Sequence, residues 1–202
     1  MPSLLTKQVR IVPQQQRASR RVESFLDAAQ DILAEVGYEA MTMTAIAERS
    51  GAAIGALYRY FPDKSAVARE LLIRFAQQVD LHWASLTQEA IGLSVEEFAS
   101  RLVGRMAEFA NEHPAYLPLV SAQIKFVRDP AARQNLRDQF SKAFIAKSPA
   151  LSRERALIIA NVVVQIMKGM ISLYAASPAR ERTMITTEFK RLLTDYLDDV
   201  LG

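Results

Sequence analysis

The chain has 202 residues, half of them hydrophobic and 23% charged, with a formal net charge of +3, which is ordinary for a protein with a folded core. It contains no cysteine, so disulfides, thiol chemistry and thiolate metal sites are excluded. Its two histidines, His82 and His113, lie far apart in sequence, and we therefore expect no metal site, no cofactor and no histidine-based catalytic triad.

The first 16 residues include three consecutive glutamines, two prolines and no sustained apolar run. We expect them to form a flexible arm rather than a signal peptide, and the protein to be cytoplasmic. Before Glu23 the chain carries basic residues and no acidic one; the basic residues are Lys7, Arg10, Arg17, Arg20 and Arg21. Such an arm is typical of proteins that contact phosphate backbones, and a merely solubilising terminus is an equal alternative.

Apolar residues recur at three- and four-residue steps from Ser19 and predict an amphipathic first helix, which Gly37 ends. A short second helix is expected over about 43–50 and is broken by Gly51. A short third helix is expected over about 55–61. Two short helices joined by a glycine-containing corner are typical of a helix-turn-helix.

The rest of the chain is also helical in pattern. One long helix is expected over about 64–88, and Ser94 with Glu97 forms a capping box that opens another, through Glu112. Asp-Pro at 129–130 and Ser152 begin two further helices, and Ser-Pro at 177–178 begins the last. The sequence thus predicts an all-α fold of about nine helices. Its expected parts are a flexible arm over 1–16, a helix-turn-helix domain over 17–66, and a helical ligand-binding and dimerisation domain over 67–202.

The most apolar window, 156–179, tests for a membrane span. It contains Lys168, Asn161 and Gln165, and its longest uncharged run is 12 residues. A spanning helix needs about 20 apolar residues, so we expect a buried helix of a soluble protein and no membrane partner.

The third helix has the residues that entry into a major groove requires. Gly55 and Ala56 are small enough for close approach, while Leu57 and Phe61, four residues apart, would hold the helix against the second one. Between and after these two apolar residues lie groups that can donate to phosphates or base edges: Tyr58, Arg59, Tyr60 and Lys64. A plain core turn with helix-spaced aromatics is the alternative, and spacing alone does not distinguish the two.

Residues 19–66 resemble the DNA-binding domain of the tetracycline-repressor (TetR) family of bacterial regulators. The resemblance rests on Gly37-Tyr38, the run Thr42 to Ala47, Gly51, and Gly55-Ala56-Leu57-Tyr58 followed by Phe61 and Lys64. It implies that Thr42 and Thr44 face the DNA and that Tyr58, Tyr60 and Lys64 hold phosphates. It also implies that the recognition helix is led by Ala53, Ile54, Gly55 and Ala56. Two departures are Ala53, where many members have Ser or Thr, and Tyr60, where many have His.

The resemblance and the apolar patterns together predict a homodimer through the last two helices, bound to a palindromic double-stranded DNA operator. The middle helices are expected to hold a small-molecule inducer. Candidate ligand-binding residues are His82, Trp83, Met106, Phe109, Gln123, Phe126, Met167 and Tyr174; Phe75, Tyr116 and Phe140 are further aromatic candidates in the same region.

The leading interpretation is a ligand-responsive transcriptional repressor. The alternative is a small-molecule binding or sequestering helical protein without a role in DNA binding, which salt-dependent and sequence-preferring DNA binding would distinguish. An enzyme is the weakest interpretation, because no motif gathers Asp, Glu, Ser or Lys at catalytic spacing and no Gly-rich phosphate loop is present.

Overall fold

The structure is a computed structural model that describes residues 11–122, 124 and 130–201. Within these residues it contains ten α-helices, one 3₁₀ turn and no strand, so the prediction of an all-α fold is confirmed. The helices are α1 Ile11–Ala40, α2 Met43–Arg49, α3 Ile54–Tyr58, α4 Lys64–His82, α5 Leu86–Gly92, α6 Val95–Glu112, α7 Tyr116–Ser121, α8 Pro130–Lys147, α9 Arg153–Ala176 and α10 Arg182–Leu201. The chain divides into two compact units after Leu71, rather than after residue 66 as the sequence predicts.

In the first unit, α1 begins at Ile11, so residues 11–16 are helical where the sequence predicts a flexible arm. Pro13 lies in the first turn of α1, where a proline costs no intrahelical hydrogen bond, and the three glutamines that follow are good helix formers. The first ten residues of the predicted arm lie outside the described residues. The regular part of α1 ends at Gly37, as predicted, because this residue adopts a positive φ of 76°.

The helix-turn-helix itself follows the predicted pattern. On α2, the side chains of Met43, Ile46 and Ala47 are buried against the rest of the unit. Gly51 forms the corner with a φ of 64°, and the next amide, of Ala52, donates to the carbonyl of Ala47 at 2.9 Å. A left-handed backbone at this position favours glycine, which explains the residue found there.

In the second unit, α4 ends at His82, and the helix predicted over about 64–88 is two helices, α4 and α5. The guanidinium of Arg105, on α6, donates to the carbonyl oxygen of His82 and forms an ion pair with Glu89 of α5 at 2.7 Å. Arg105 thus satisfies a carbonyl that a continuing helix would have bonded internally, which stabilises the break.

The second unit has a core rich in aromatic side chains. Phe98 of α6 and Phe140 and Phe144 of α8 are at most 2% exposed, and their rings meet edge to face. The predicted capping box is confirmed: the Ser94 hydroxyl oxygen accepts from the Glu97 amide at 3.1 Å, and the Glu97 carboxylate accepts from the Ser94 amide at 2.7 Å. Both bonds satisfy amide groups that the first turn of α6 leaves without a helical partner.

Among the described residues, α9 is long and apolar enough to cross a membrane by length and composition. It packs against α7, α8 and α10 and buries a continuous set of side chains, among them Ile159, Val163 and Met170. These contacts are those of a core helix. A short 3₁₀ turn, Ala179–Glu181, then leads into α10, so the last helix begins close to the predicted Ser-Pro signal.

Candidate nucleic-acid interface and internal cavity

The second helix of the helix-turn-helix is α3, a helix of five residues that is anchored by apolar side chains. Leu57 is fully buried and Phe61, just beyond the helix, is 7% exposed. On the other side, Ile54 is 41% exposed and Tyr58 is 50% exposed. This division of one short helix into a buried and an exposed face is the one that the sequence predicts.

The residues predicted to face DNA are mostly accessible. Ala56 and Lys64 are half-buried, and the remaining ten are exposed: Arg20, Arg21, Thr42, Thr44, Ala53, Ile54, Gly55, Tyr58, Arg59 and Tyr60. Ala53 is the residue before α3, and because alanine has no hydroxyl, its side chain does not cap the helix. The helix-turn-helix therefore presents small, aromatic and basic groups together on its surface.

Thr42 has a structural role in addition to the predicted contact with DNA. Its hydroxyl oxygen accepts a hydrogen bond from the Ala45 amide at 3.1 Å and so caps α2. The hydroxyl proton is not used in that bond and can still be donated to an acceptor in solution. Thr44, two residues later, is exposed in the first turn of α2.

The ring of Tyr60 packs against α1. It lies 5.9 Å from the ring of Phe25, which is fully buried. With 39% of the residue still exposed, Tyr60 keeps an accessible surface while its orientation is fixed by packing. A phenol held in this way loses little conformational freedom when it donates to a ligand.

Lys64, for which the resemblance predicts a phosphate contact, is bonded to the backbone within the first unit. Its ammonium donates to the carbonyls of Tyr38 at 3.0 Å and Glu39 at 3.1 Å, and it lies 4.5 Å from the centre of the Tyr38 ring. An ammonium has three N–H donors, so these two bonds occupy most of them. Lys64 satisfies carbonyls at the end of α1 and joins that end to the start of α4.

An ion pair that the sequence does not predict joins α1 to α2. The Arg49 guanidinium donates to both oxygens of Glu35, at 2.6 Å and 2.7 Å. This hydrogen bonding holds the pKa of the Glu35 carboxyl below its usual value. Nothing in the spacing of residues 35 and 49 identifies this pair, because only the crossing of the two helices brings them together.

The second unit encloses a cavity of about 380 Å³, lined by residues of α4, α6, α7, α8 and α9 and by Trp83. Of the predicted ligand-binding residues, Trp83, Met106 and Met167 line it, as do the further candidates Tyr116 and Phe140. The sequence does not predict the other lining residues, which are Leu72, Ala76, Val79, Val120, Leu136, Val164, Lys168 and Ile171. Most of these are aliphatic residues whose spacing is that of any core helix, so no local signal separates them from core positions.

Three predicted ligand-binding residues do not line the cavity. The Nε2 atom of His82 lies 2.9 Å from the Arg105 carbonyl oxygen, because α4 ends there and the histidine turns toward α6. Phe109 is 1% exposed and its ring packs on His113 and Tyr116, at 4.3 Å and 5.2 Å between ring centres. Phe109 is therefore a core residue.

Tyr174 is also structural. Its hydroxyl donates to Asn111 at 3.3 Å, and the Arg182 guanidinium lies 4.8 Å from the centre of its ring. Gln123 and Phe126, the remaining two predicted ligand-binding residues, lie outside the described residues.

Two family models match the chain. The model described as bacterial regulatory proteins, tetR family, matches residues 25–71, which contain the helix-turn-helix. The model described as the tetracyclin repressor-like C-terminal domain matches residues 94–197, more than half of the chain.

Curated relatives match over shorter stretches. The HTH-type transcriptional repressor KstR of Rhodococcus jostii (strain RHA1) is 49% identical over 55 residues, which are 25% of this chain and 26% of the relative. KstR of Mycobacterium tuberculosis (strain ATCC 25618 / H37Rv) is 30% identical over 115 residues, 56% of this chain and 51% of the relative. The chain thus spans about half or less of the length of these relatives.

A crystal structure of a TetR-family transcriptional regulator from Pectobacterium atrosepticum has a similar fold. It superposes with a TM-score of 0.74, covering 92% of this chain and 96% of that one, at 14% sequence identity. At this level of identity the similarity concerns the arrangement of helices.

Proposed function

Because the chain belongs to the TetR family of bacterial regulatory proteins, we propose that it is a repressor that binds a palindromic DNA operator as a homodimer. We propose further that a small, largely apolar ligand releases it from that operator. The family consists of DNA-binding transcription regulators without catalytic activity, so the expectation that the chain is not an enzyme is confirmed. Its members are typically cytoplasmic, and we propose the same location for this protein.

The observation that supports DNA binding most directly is the exposed face of α3. Ile54 and Tyr58 are exposed on a helix that Leu57 fixes from the buried side. A helix with small leading residues fits a major groove about 12 Å wide. Arg20, Arg21, Thr42, Tyr58 and Tyr60 then supply donors for phosphates on either side of the groove.

Direct reading of bases by this helix is sparse. Ala53, Ile54 and Ala56 have no side-chain hydrogen-bonding groups, so they can offer only apolar contacts, for which the thymine methyl group is the natural partner. We assign the bonds to base edges to Arg59 and Thr44, both of which are exposed. The remaining specificity comes from the shape and deformability of the operator.

The homodimer is proposed to form through α9 and α10. Both helices carry large apolar side chains that the single chain leaves accessible: Ile158, Val162 and Leu173 on α9, and Met184 and Leu192 on α10, each between 38% and 65% exposed. A second copy would bury them in a bundle of four helices. Two copies are also what a palindromic operator requires, with half-sites about 34 Å apart or a multiple of that distance.

The cavity of the second unit is the proposed ligand site, since apolar cavities between helices are typical of such sites. A ligand lowers operator affinity only if it binds the state that cannot bind DNA more tightly than the state that can. A ligand that occupied the cavity and left operator affinity unchanged would therefore contradict the proposed release.

The test is selection of binding sites from random DNA by the full chain, followed by affinity measurements over a series of salt concentrations. We expect a palindrome, and we expect affinity to fall steeply as salt increases. Arg59→Ala should weaken binding to the selected site, by about tenfold or more if Arg59 bonds a guanine edge. Arg180→Ala, which removes an equal charge from a residue whose side chain is 84% exposed in the second unit, is the matched control.

Absence of sequence-preferring, salt-dependent DNA binding would contradict the proposal and would favour the sequestering protein. A selected site with many strictly required G·C pairs, insensitive to both Arg59→Ala and Thr44→Ala, would contradict the sparse direct readout. A monomeric mass at micromolar concentration would contradict the dimer.

A further inference from the structure

One face of α9 is exposed and uncharged. The helix packs against α7, α8 and α10, and its exposed face follows three- and four-residue steps along the whole helix. The residues at these steps are Ile158, Val162, Gln165, Gly169, Leu173 and Ala176. Lys168, also exposed, lies about 100° around the helix from Gly169, on the side of the cavity that it lines. The centre of the face therefore carries no charge.

An uncharged face suits contact with a second copy of the same chain. A two-fold axis brings the same surface of both copies together, so any charge at its centre would meet a charge of the same sign. The large side chains on this face are Ile158, Val162 and Leu173, which are between 38% and 48% exposed. The neighbouring helix α10 adds Met184 and Leu192, at 65% and 49% exposure. This surface can thus bury apolar side chains against its own copy without burying a charge.

Gly169 lies at the middle of this face and has no evident role within the single chain. It lies in the interior of a helix of 24 residues, where glycine is the least favourable residue after proline. Its φ is not positive, and an added Cβ would meet no atom within 4 Å, so neither the backbone nor a neighbour requires glycine there. The same is true of Gly104 in α6, but Gly104 lies in a groove among charged side chains such as Arg101 and Glu108.

We propose that α9 crosses the α9 of a second copy at Gly169, which lies on the two-fold axis of the dimer. The inference rests on the proposed homodimer and assigns the point at which its two copies meet. Packed helices usually lie 8–10 Å apart, and a glycine at the crossing point lets the two backbones come closer. Gln165 and Leu173, one turn to either side, then contact the partner helix.

The crossing point can be located with single cysteines, because the chain has none of its own. In a two-fold dimer, only a residue near the axis lies close to its own counterpart. A disulfide requires the two Cα atoms to lie within about 7 Å of each other. We therefore expect Gly169→Cys to give a disulfide-linked dimer under mild oxidation, detected by non-reducing electrophoresis.

Ile158→Cys is the matched control for accessibility. Ile158 is 48% exposed on the same face of α9, and it lies about 16 Å from Gly169 along the helix. At that distance from the axis, the two copies of the cysteine cannot form a disulfide within one dimer. Ile158→Cys should therefore remain unlinked under conditions in which Gly169→Cys is linked.

A second measurement uses the dimer itself. Gly169→Ala adds one methyl group at the crossing point and should raise the dissociation constant of the dimer about tenfold, measured by sedimentation equilibrium of the full chain. Gly104→Ala makes the same change within α6 and should leave the dissociation constant unchanged. Circular dichroism should show that neither variant loses helix, because alanine favours a helix more than glycine does.

The inference is overturned, and the proposed homodimer left intact, if the unaltered chain is dimeric but Gly169→Cys forms no disulfide. It is also overturned if Ile158→Cys is linked as readily as Gly169→Cys, or if Gly169→Ala dimerises as tightly as the unaltered chain. A monomeric mass of the unaltered chain at micromolar concentration would instead overturn the homodimer and assign this face of α9 to a different partner.

Discussion

The two tyrosines beside α3 in the first unit and the aromatic residues that line the cavity of the second unit lie in opposite environments. In the first unit, Tyr58 and Tyr60 are 50% and 39% exposed beside α3. In the second unit, Trp83 and Phe140 are almost completely buried around a cavity. Tyr58 and Tyr60 thus contribute to an outer surface of the first unit, whereas Trp83 and Phe140 help to enclose a space in the second.

Short-range features and contacts between distant segments both hold the units in shape. The corner and caps of the first unit depend on short-range features, such as the positive φ of Gly51 and the bond from the Ala45 amide to Thr42. Contacts between distant segments act in both units, such as Lys64 with Tyr38 in the first and Arg105 with His82 and Glu89 in the second. Substitutions that remove either kind of feature test the comparison, and the loss of a buried side chain should cost more stability than the loss of a turn or a cap.

The largest effect is expected from Phe140→Ala, which would remove one of the aromatic rings that line the cavity. Removing a buried aromatic ring costs about 3–5 kcal/mol of the free energy of unfolding. The measurement is urea unfolding followed by Trp83 fluorescence, since the two rings are in contact. Tyr58→Ala, at an exposed aromatic residue of the first unit, should change unfolding by less than about 0.5 kcal/mol and weaken DNA binding instead. Equal loss of stability in both variants would contradict the comparison.

Within α3, Leu57→Ala should reduce the free energy of unfolding by about 2–5 kcal/mol, because Leu57 is fully buried. Urea unfolding followed by circular dichroism measures this loss. Ile54→Ala, three residues earlier at 41% exposure, is the matched control and should leave stability nearly unchanged while lowering operator affinity. If Ile54→Ala destabilised the chain as much as Leu57→Ala, the division of this helix into a buried and an exposed face would be wrong.

The two glycines of the helix-turn-helix should respond in opposite directions. Gly51→Ala places a side chain in a left-handed backbone conformation and should cost about 1–2 kcal/mol. Gly55→Ala lies in α3, where an added Cβ would meet no atom within 4 Å, and should stabilise the chain by about 0.5–1 kcal/mol. Thermal unfolding compares the two, and stabilisation by Gly51→Ala would be inconsistent with the described corner.

Thr42→Ala removes the cap of α2 and should cost about 1 kcal/mol of unfolding free energy. It should also lower operator affinity if the hydroxyl donates to a phosphate. Thr42→Ser keeps the hydroxyl, so this variant should have the stability and the operator affinity of the unaltered chain. Loss of affinity in Thr42→Ser as well would indicate that the methyl group, rather than the hydroxyl, carries the contact.

The smallest effect concerns His113 of the second unit. Burial lowers the pKa of its imidazole below the usual 6.5, against a smaller opposing effect of Glu112, and the neighbouring His82 lowers it slightly further. The unfolded chain therefore takes up the proton first, so the free energy of unfolding falls as the pH drops below about 6.5. His113→Gln should flatten this part of the curve, measured by urea unfolding between pH 5 and 7. An equally steep curve in the variant would show that the imidazole is not responsible.

In both units, the sequence predicts the features that act within one turn of chain and does not predict those that depend on how helices pack. Gly37, Gly51 and the capping box at Ser94 are predicted correctly because a glycine at a corner and a Ser-x-x-Glu spacing act within one turn of chain. The end of α4 at His82 is not predicted because it depends on Arg105, whose position relative to His82 is set by helix packing. The pair of Arg49 and Glu35 escapes prediction for the same reason.

The cavity is the least predictable part. Trp83, Met106 and Met167 line the cavity, but Phe109 and Tyr174, which have the same apolar spacing, lie in the core. Whether such a residue contacts a neighbour or a void is decided by how several helices pack, and periodicity along one helix does not contain that information.

The position of Lys64 affects how a charge-removal scan of the basic surface should be interpreted. Because its ammonium is bonded to the carbonyls of Tyr38 and Glu39, a neutral substitution there would loosen the scaffold that orients α3. The substitution would weaken operator affinity even if Lys64 never met a phosphate. Arg59 and Lys64 therefore need different controls in such a scan. For a variant of the exposed Arg59, operator affinity is a sufficient measurement. For a variant of Lys64, the free energy of unfolding has to be measured together with operator affinity.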